Sequence, residues 1–171
     1  MKNSLYVLLA SGLLLSSCQK ESVEPQLEAA ATQTADAKSA NRNFSAHLTG
    51  DQEVPAVATN ATGQAIYQLS KDGLSMSYKL IVANIQTSVI FGHLHVGARG
   101  ANGGVVVDLV GATGPSPQGV IAEGTITRAQ LKGALAGQPL SALVAAMEAG
   151  NVYTNVHSTA NRGGEIRGQV R

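Results

Sequence analysis

The chain has 171 residues, enough for one domain with a substantial core and too few for two such domains. Charged residues make up only 13%, the formal net charge is +1, and no run of lysine or arginine occurs, so nothing here builds a nucleic-acid surface. Nineteen glycines, no tryptophan and one cysteine point to a turn-rich β fold with no intrachain disulfide.

The first eighteen residues have the layout of a secretory signal. Lys2 supplies the positive charge, "SLYVLLASGLLL" a short apolar run, and Leu15-Ser16-Ser17-Cys18 a small-residue ending. The apolar run is too short for a comfortable membrane span. Leu-Ser-Ser-Cys resembles a bacterial lipobox. That resemblance implies a lipoprotein signal peptide over 1–18, with Cys18 as the lipidated first residue of the mature protein. The expected location is the bacterial cell envelope, on the periplasmic or surface face of the outer membrane, with the membrane as a partner through acyl chains. The next three residues, Gln19-Lys20-Glu21, weakly resemble a surface-export signal of bacterial lipoproteins. Residues 19–42 are polar and alanine-rich without sustained apolar periodicity, and read as a flexible tether.

The folded domain is expected over 43–171. "NFSAHLTG" alternates, placing Phe44, Ala46 and Leu48 on one face and His47 on the solvent side. "TGQAIYQLS" and "GLSMSYKLIVA" have strand character and meet at Lys71-Asp72-Gly73, where Asp-Gly signals a hairpin. "SVIFGHLHV" comes next, then the glycine-rich "GARGANGG", the apolar run "VVVDLV", a Pro/Gly connection and the short strand "VIAEGTI". Thr127 is placed to cap a short helix with Leu131 and Leu135 inward, which Gly137 and Pro139 interrupt. In a second helix Leu140, Leu143, Val144 and Met147 form one apolar stripe, and Gly150 sits at the residue after its end. "NVYTNVHS" and "EIRGQVR" close the chain as strands. The expected class is mainly β: an antiparallel β-sandwich or Greek-key barrel of about eight strands with a short helical insertion.

No nucleophile elbow, zincin, paired-cysteine or P-loop motif is present. "GARGANGG" precedes an apolar strand, not a helix, so it lacks the helix N-terminus that binds phosphate and reads as a turn. Its loop, 97–104, is also a place where a ligand edge could form. The acids, Asp51, Glu53, Asp72, Asp108, Glu123, Glu148 and Glu165, are scattered. The histidines are the chemistry-bearing feature. His93 and His95 share one strand face with Cα atoms roughly 6–7 Å apart, and His157 lies on another strand. If those strands are neighbours, the three imidazoles can hold copper or zinc. The plain alternative is a set of polar face residues hydrogen-bonded to nearby backbone. Asn155, two positions from His157, would orient it or cap a turn. Tyr153 continues that face. Glu165 and Arg167 flank Ile166 on one face and read as a polar network, pairing with Arg99 or Asp108.

Several blocks in order resemble the CHRD domain, the module named after chordin. They are Glu53-Val54-Pro55, His93-x-His95-x-Gly97, Asn155-Val156-His157 and Gly164-Glu165-Ile166-Arg167-Gly168, spanning about 43–171. Two departures occur: Ala56 stands where a second proline is usual, and Ala160-Asn161-Arg162-Gly163 is a looser form of the usual Asn-Pro-Gly turn. The resemblance implies a β-sandwich. In animals such modules belong to an extracellular antagonist of growth-factor signalling, and bacterial members are mostly secreted or anchored; no reaction is implied. "FGHLHVG" also looks like the copper-binding strand of Cu/Zn superoxide dismutases. That likeness would put His93, His95 and His157 at three copper-ligand positions. Counterparts of the bridging histidine, the zinc cluster and the disulfide are missing, and neither Arg162 nor Arg167 is given an anion-guiding role.

These features support two expectations. One is a lipid-anchored, non-enzymatic binding or envelope-structural module with a protein or glycan partner. The other is a metalloprotein using the three histidines.

Overall fold

The computed structural model describes residues 42–171. The expected signal peptide, Cys18 and the tether up to residue 41 lie outside the described residues. Eight strands form: β1 (Asn43–Thr49), β2 (Thr62–Leu69), β3 (Met76–Ala83), β4 (Val89–Val96), β5 (Gly104–Val110), β6 (Gly119–Ile126), β7 (Val152–Ser158) and β8 (Ile166–Gln169). Arg42 already belongs to the fold, because its carbonyl accepts from the Leu69 amide at 2.7 Å.

The strands make one antiparallel sheet in the order β5-β4-β7-β8-β1-β2-β3-β6. The sheet curls until its two edge strands, β5 and β6, come back towards each other. The Tyr78 hydroxyl on β3 crosses this gap and donates to the Leu109 carbonyl on β5 at 2.7 Å. The result is a nearly closed barrel, so the mainly β, eight-stranded expectation holds. Curling hides most backbone edge groups that a flat sheet would leave open.

Alternation fills the interior. Phe44, Ala46 and Leu48 of β1 are buried while Ser45 and His47 face solvent. From β4 and β7 the core receives Leu94, Val152 and Val156. One polar pair lies inside, the Tyr67 hydroxyl with Thr154 Oγ1 at 2.7 Å, which joins β2 to β7 and satisfies both groups. The strands also approach closely: a Cβ on Gly168 would sit 2.3 Å from the His47 carbonyl oxygen, so only glycine lets β8 lie against β1 here.

The Asp72-Gly73 hairpin forms as expected, with Gly73 at φ +72° and Asp72 Oδ1 accepting from Ser70 Oγ and the Leu74 amide. The Thr127 segment differs from expectation. Thr127 and Gln130 make a reciprocal cap, but the chain then forms two single 3-10 turns, Arg128–Gln130 and Gly133–Leu135, in place of a helix. Gly133 has φ +57°, which ends any helix there, and a Cβ on it would lie 2.5 Å from the Val105 carbonyl oxygen. The chain is therefore pressed against β5, with the Lys132 amide bonded to the Val106 carbonyl at 2.9 Å. The second helix, α1 (Leu140–Glu148), buries Leu140, Leu143, Val144 and Met147 as its stripe predicts, and Gly150 lies beyond its end at φ +68°.

Candidate metal centre

Register places the site. β4 and β7 are direct neighbours, with Phe91 opposite His157, His93 opposite Asn155 and His95 opposite Tyr153. Leu94, Val152 and Val156 point to the core, so these residues stand on the outer face. Arg167 on β8 lies opposite Asn155 and joins them.

The outer face is not bare. The loop 97–103 folds over it and turns its carbonyls inward. Arg167 donates to the Ala101 carbonyl at 2.7 Å and to Asn102 Oδ1 at 3.1 Å, and Gln169 Nε2 donates to the Gly97 carbonyl at 3.0 Å. Asn102 Nδ2 in turn donates to the Val54 carbonyl at 2.8 Å, which ties the loop to the segment after β1. This cover explains why Arg167 on an outward face is only 1% exposed. Its guanidinium lies 3.4 Å above the Tyr153 ring centre, and the opposite side of that ring stacks on His95 at 4.6 Å and 8°. The expected pairing of Arg167 and Glu165 with Arg99 or Asp108 does not form. Loop carbonyls and the Tyr153 ring take Arg167 instead, Glu165 Oε1 accepts from Thr59 Oγ1 at 2.9 Å, and Asp108 lies on β5.

Beneath the loop lies an acid that the scattered carboxylates did not advertise. Glu53 is buried, packed on Gly164, where a Cβ would come within 2.3 Å of Glu53 Oε1. Gly164 has φ +129°, a conformation that favours glycine as well. Burial pushes the Glu53 carboxyl up to about 7, against the pull of the Arg167 charge, the Val54 amide and the Asn155 side chain. Asn155 thus neighbours both Glu53 and His95. Glu53, Asn155, Glu165 and Arg167 are one buried polar layer.

The three histidines meet at the edge of that layer, with one candidate ligand nitrogen from each within 4.8 Å of the others. His93 Nδ1 faces His157 Nε2 at 3.3 Å. His95 Nδ1 bonds to the Gly103 carbonyl at 2.8 Å, and His157 Nδ1 to the Arg162 carbonyl at 2.9 Å. His93 Nε2 lies 3.4 Å from Asp108 Oδ1, an oxygen that also receives Lys132 Nζ at 2.5 Å. His93 additionally stacks on Phe91, ring centres 5.6 Å apart. Burial and the neighbouring rings of His157 and His95 press the His93 imidazole down to about 4. Burial lowers His95 too, against the Gly103 carbonyl.

These partners decide where the protons sit. A carbonyl oxygen only accepts, so Nδ1 of His95 and of His157 each carry the proton, and each Nε2 presents a lone pair. Neutral His93 has one proton for two places. On Nδ1 it serves His157 Nε2 and leaves a lone pair facing the Asp108 carboxylate. On Nε2 it points at Asp108, 3.4 Å away and short of a formed hydrogen bond, and leaves two lone pairs opposed at 3.3 Å. Neither tautomer satisfies both contacts. His95 Nε2, meanwhile, is buried and makes no hydrogen bond of ordinary geometry, with the Asn155 side chain as its polar neighbour.

The described residues thus form a nearly closed antiparallel eight-stranded barrel carrying a half-buried three-histidine cluster on one covered outer face. The CHRD domain family model matches residues 44–170, and the chain belongs to that family. No curated protein matches the chain, and neither does any solved structure.

Of the residues singled out from sequence, His93, His95, His157 and Asn155 converge, with Arg167 beside them through Tyr153. Sequence reasoning misses Glu53, Asp108 and Lys132 as members of the site. Asp108 has only a misleading signal, since counting back from the Val96–Gly104 pair sets it opposite Gly92, and it is the irregularities in the β4–β5 register that bring it opposite His93. Lys132 has none.

Proposed function

We propose that this CHRD-domain protein is a lipid-anchored extracytoplasmic binding module whose His93, His95 and His157 hold one copper or zinc ion. The observation that carries the metal reading is the unmet lone pairs. One added cation between His93 Nδ1 and His157 Nε2 resolves the tautomer conflict. A proton there serves only that pair, whereas a metal ion would engage all three nitrogens once they draw together from their present spread of up to 4.8 Å, since two nitrogens on one zinc stand at most about 4.2 Å apart. Spacing supports this. Two imidazole nitrogens on a tetrahedral zinc at about 2.0–2.1 Å lie about 3.3–3.4 Å apart, and His93 Nδ1 and His157 Nε2 are 3.3 Å apart. Carbonyl bonds to the far nitrogens of His95 and His157 fix the tautomers that ligation needs. The lipid anchor rests on the Leu15–Cys18 pattern ahead of the domain.

The test is metal retained after incubation with Cu²⁺ or Zn²⁺ and desalting. About one ion per chain is expected in the parent, with none in the double variant His93→Ala, His95→Ala. No retained metal in either protein contradicts the proposal and returns the domain to the role of a protein- or glycan-binding surface. Loss of palmitate incorporation in Cys18→Ala tests the anchor separately.

A further inference from the structure

His93 differs from its two companions in what holds its second ring nitrogen. His95 and His157 are each fixed by a backbone carbonyl that cannot change its chemistry. His93 is faced instead by a side chain, Asp108 Oδ1, at 3.4 Å from Nε2. That distance is too long for a formed hydrogen bond. The oxygen is meanwhile held by Lys132, which the Gly133 turn delivers from the connection between β6 and β7. Asp108 is more than half exposed, with a side-chain exposure of 61%, which leaves its carboxylate room to turn towards the ring.

We infer that Asp108 is the positioning residue of the metal site, accepting the Nε2 proton of His93 when a metal ion takes Nδ1 and so holding that ring in its ligating tautomer. This deepens the metal reading and rests on it. In the metal-free protein the His93 proton is drawn towards His157 Nε2, and Lys132 occupies Asp108. Metal on Nδ1 forces the proton to Nε2, where a carboxylate already waits. An ionised acceptor both orients the ring and makes its metal-bound nitrogen a better donor. Asp108 sits on β5, in register with His93 across the hairpin. The orientation is therefore supplied by the neighbouring strand. The 3-10 insertion contributes only Lys132, which keeps the carboxylate turned towards the ring's side of the strand.

The experiment is zinc affinity of the protein, measured by competition with a chromophoric chelator, for wild type, Asp108→Ala and Asp108→Asn. Asp108→Ala is expected to weaken zinc by about 10–100-fold. Asp108→Asn, which keeps an accepting oxygen, is expected to recover part of that loss. A charge acting only through space predicts equal loss in both variants. Imidazole ¹⁵N spectra of the zinc-loaded protein supply the second readout: the His93 proton should reside on Nε2 in wild type and show a weakened hydrogen bond in Asp108→Ala. Wild-type zinc binding with Asp108→Ala unchanged overturns this inference and leaves the metal site standing. Equal loss in both variants with an unaltered His93 signal overturns it as well. A wild-type protein that binds no zinc overturns the metal site itself.

Discussion

At the scale of single residues, burial works on two ionisable groups in opposite directions. His93 is pressed down to about 4 from an ordinary 6.5, so between those values the unfolded chain binds a proton that the folded domain refuses. Its contribution to stability is therefore present above about 6.5 and lost as the pH falls towards 4. Glu53 is pushed up to about 7 from 4.5, so between those values the folded domain holds a proton that the unfolded chain gives up. Its contribution is present below 4.5 and lost as the pH rises through 7. The two slopes oppose each other across the shared window in the metal-free protein. Glu53→Gln removes one of them. Relative to wild type, the variant should gain stability on going from pH 5 to pH 8, by about 2 kcal/mol after allowing for partial solvent access. Urea unfolding of both metal-free proteins at the two pH values measures this. A difference that stays constant with pH would mean that Glu53 does not titrate in this range.

The same two residues show how much of the site is legible in sequence. His93 and His95 announce themselves by spacing, because a period of two puts both on one face whatever the partner strand is. Glu53 gives no such sign. Its burial comes from loop 97–103 and from Gly164 closing over it, contacts that join residues far apart in the chain. Glu165 and Thr59, in the same layer, are 106 positions apart. Local pattern carries no information on which distant loop will cover a face.

Among the elements, strands are the more readable class. β1 through β5 obey their alternation or apolar runs, and α1 obeys its stripe, because each depends on one face meeting one core. The segment after β6 is harder to read. Thr127 does cap, and Leu131 is buried, yet no helix forms there. Gly133 at φ +57° is required by the approach to the Val105 carbonyl, a tertiary demand that overrides local helix preference. Gly133→Ala should therefore lower stability by at least about 1 kcal/mol, since the new Cβ must either move the chain off β5 or adopt a left-handed conformation. Chemical denaturation reads the loss. An unchanged midpoint would show that the turn is not pressed against β5 as described.

For the whole molecule, curling the sheet does two things at once. It hides the β5 and β6 edges inside a nearly closed wall, and it leaves one outer face, on β4, β7 and β8, available for a second layer of polar packing. The CHRD blocks lie in that layer: Glu53, His93, His95, Asn155, His157, Glu165 and Arg167 are distant in sequence and adjacent here. The fold class is readable because strand number and turns are local properties. The purpose of the shared blocks is not, because it exists only once the barrel has closed and the loop has come down.

If the three imidazoles are one ligand set, Nδ1 of His93 and Nε2 of His95 and His157 are aimed at a common point. X-ray absorption at the zinc edge of the loaded protein tests this most directly. The expected spectrum has about three nitrogen ligands at roughly 2.0 Å with the outer-shell scattering of imidazole rings, and His95→Ala should lose that pattern. A first shell of oxygens without imidazole scattering, or a spectrum that His95→Ala leaves unchanged, would contradict it.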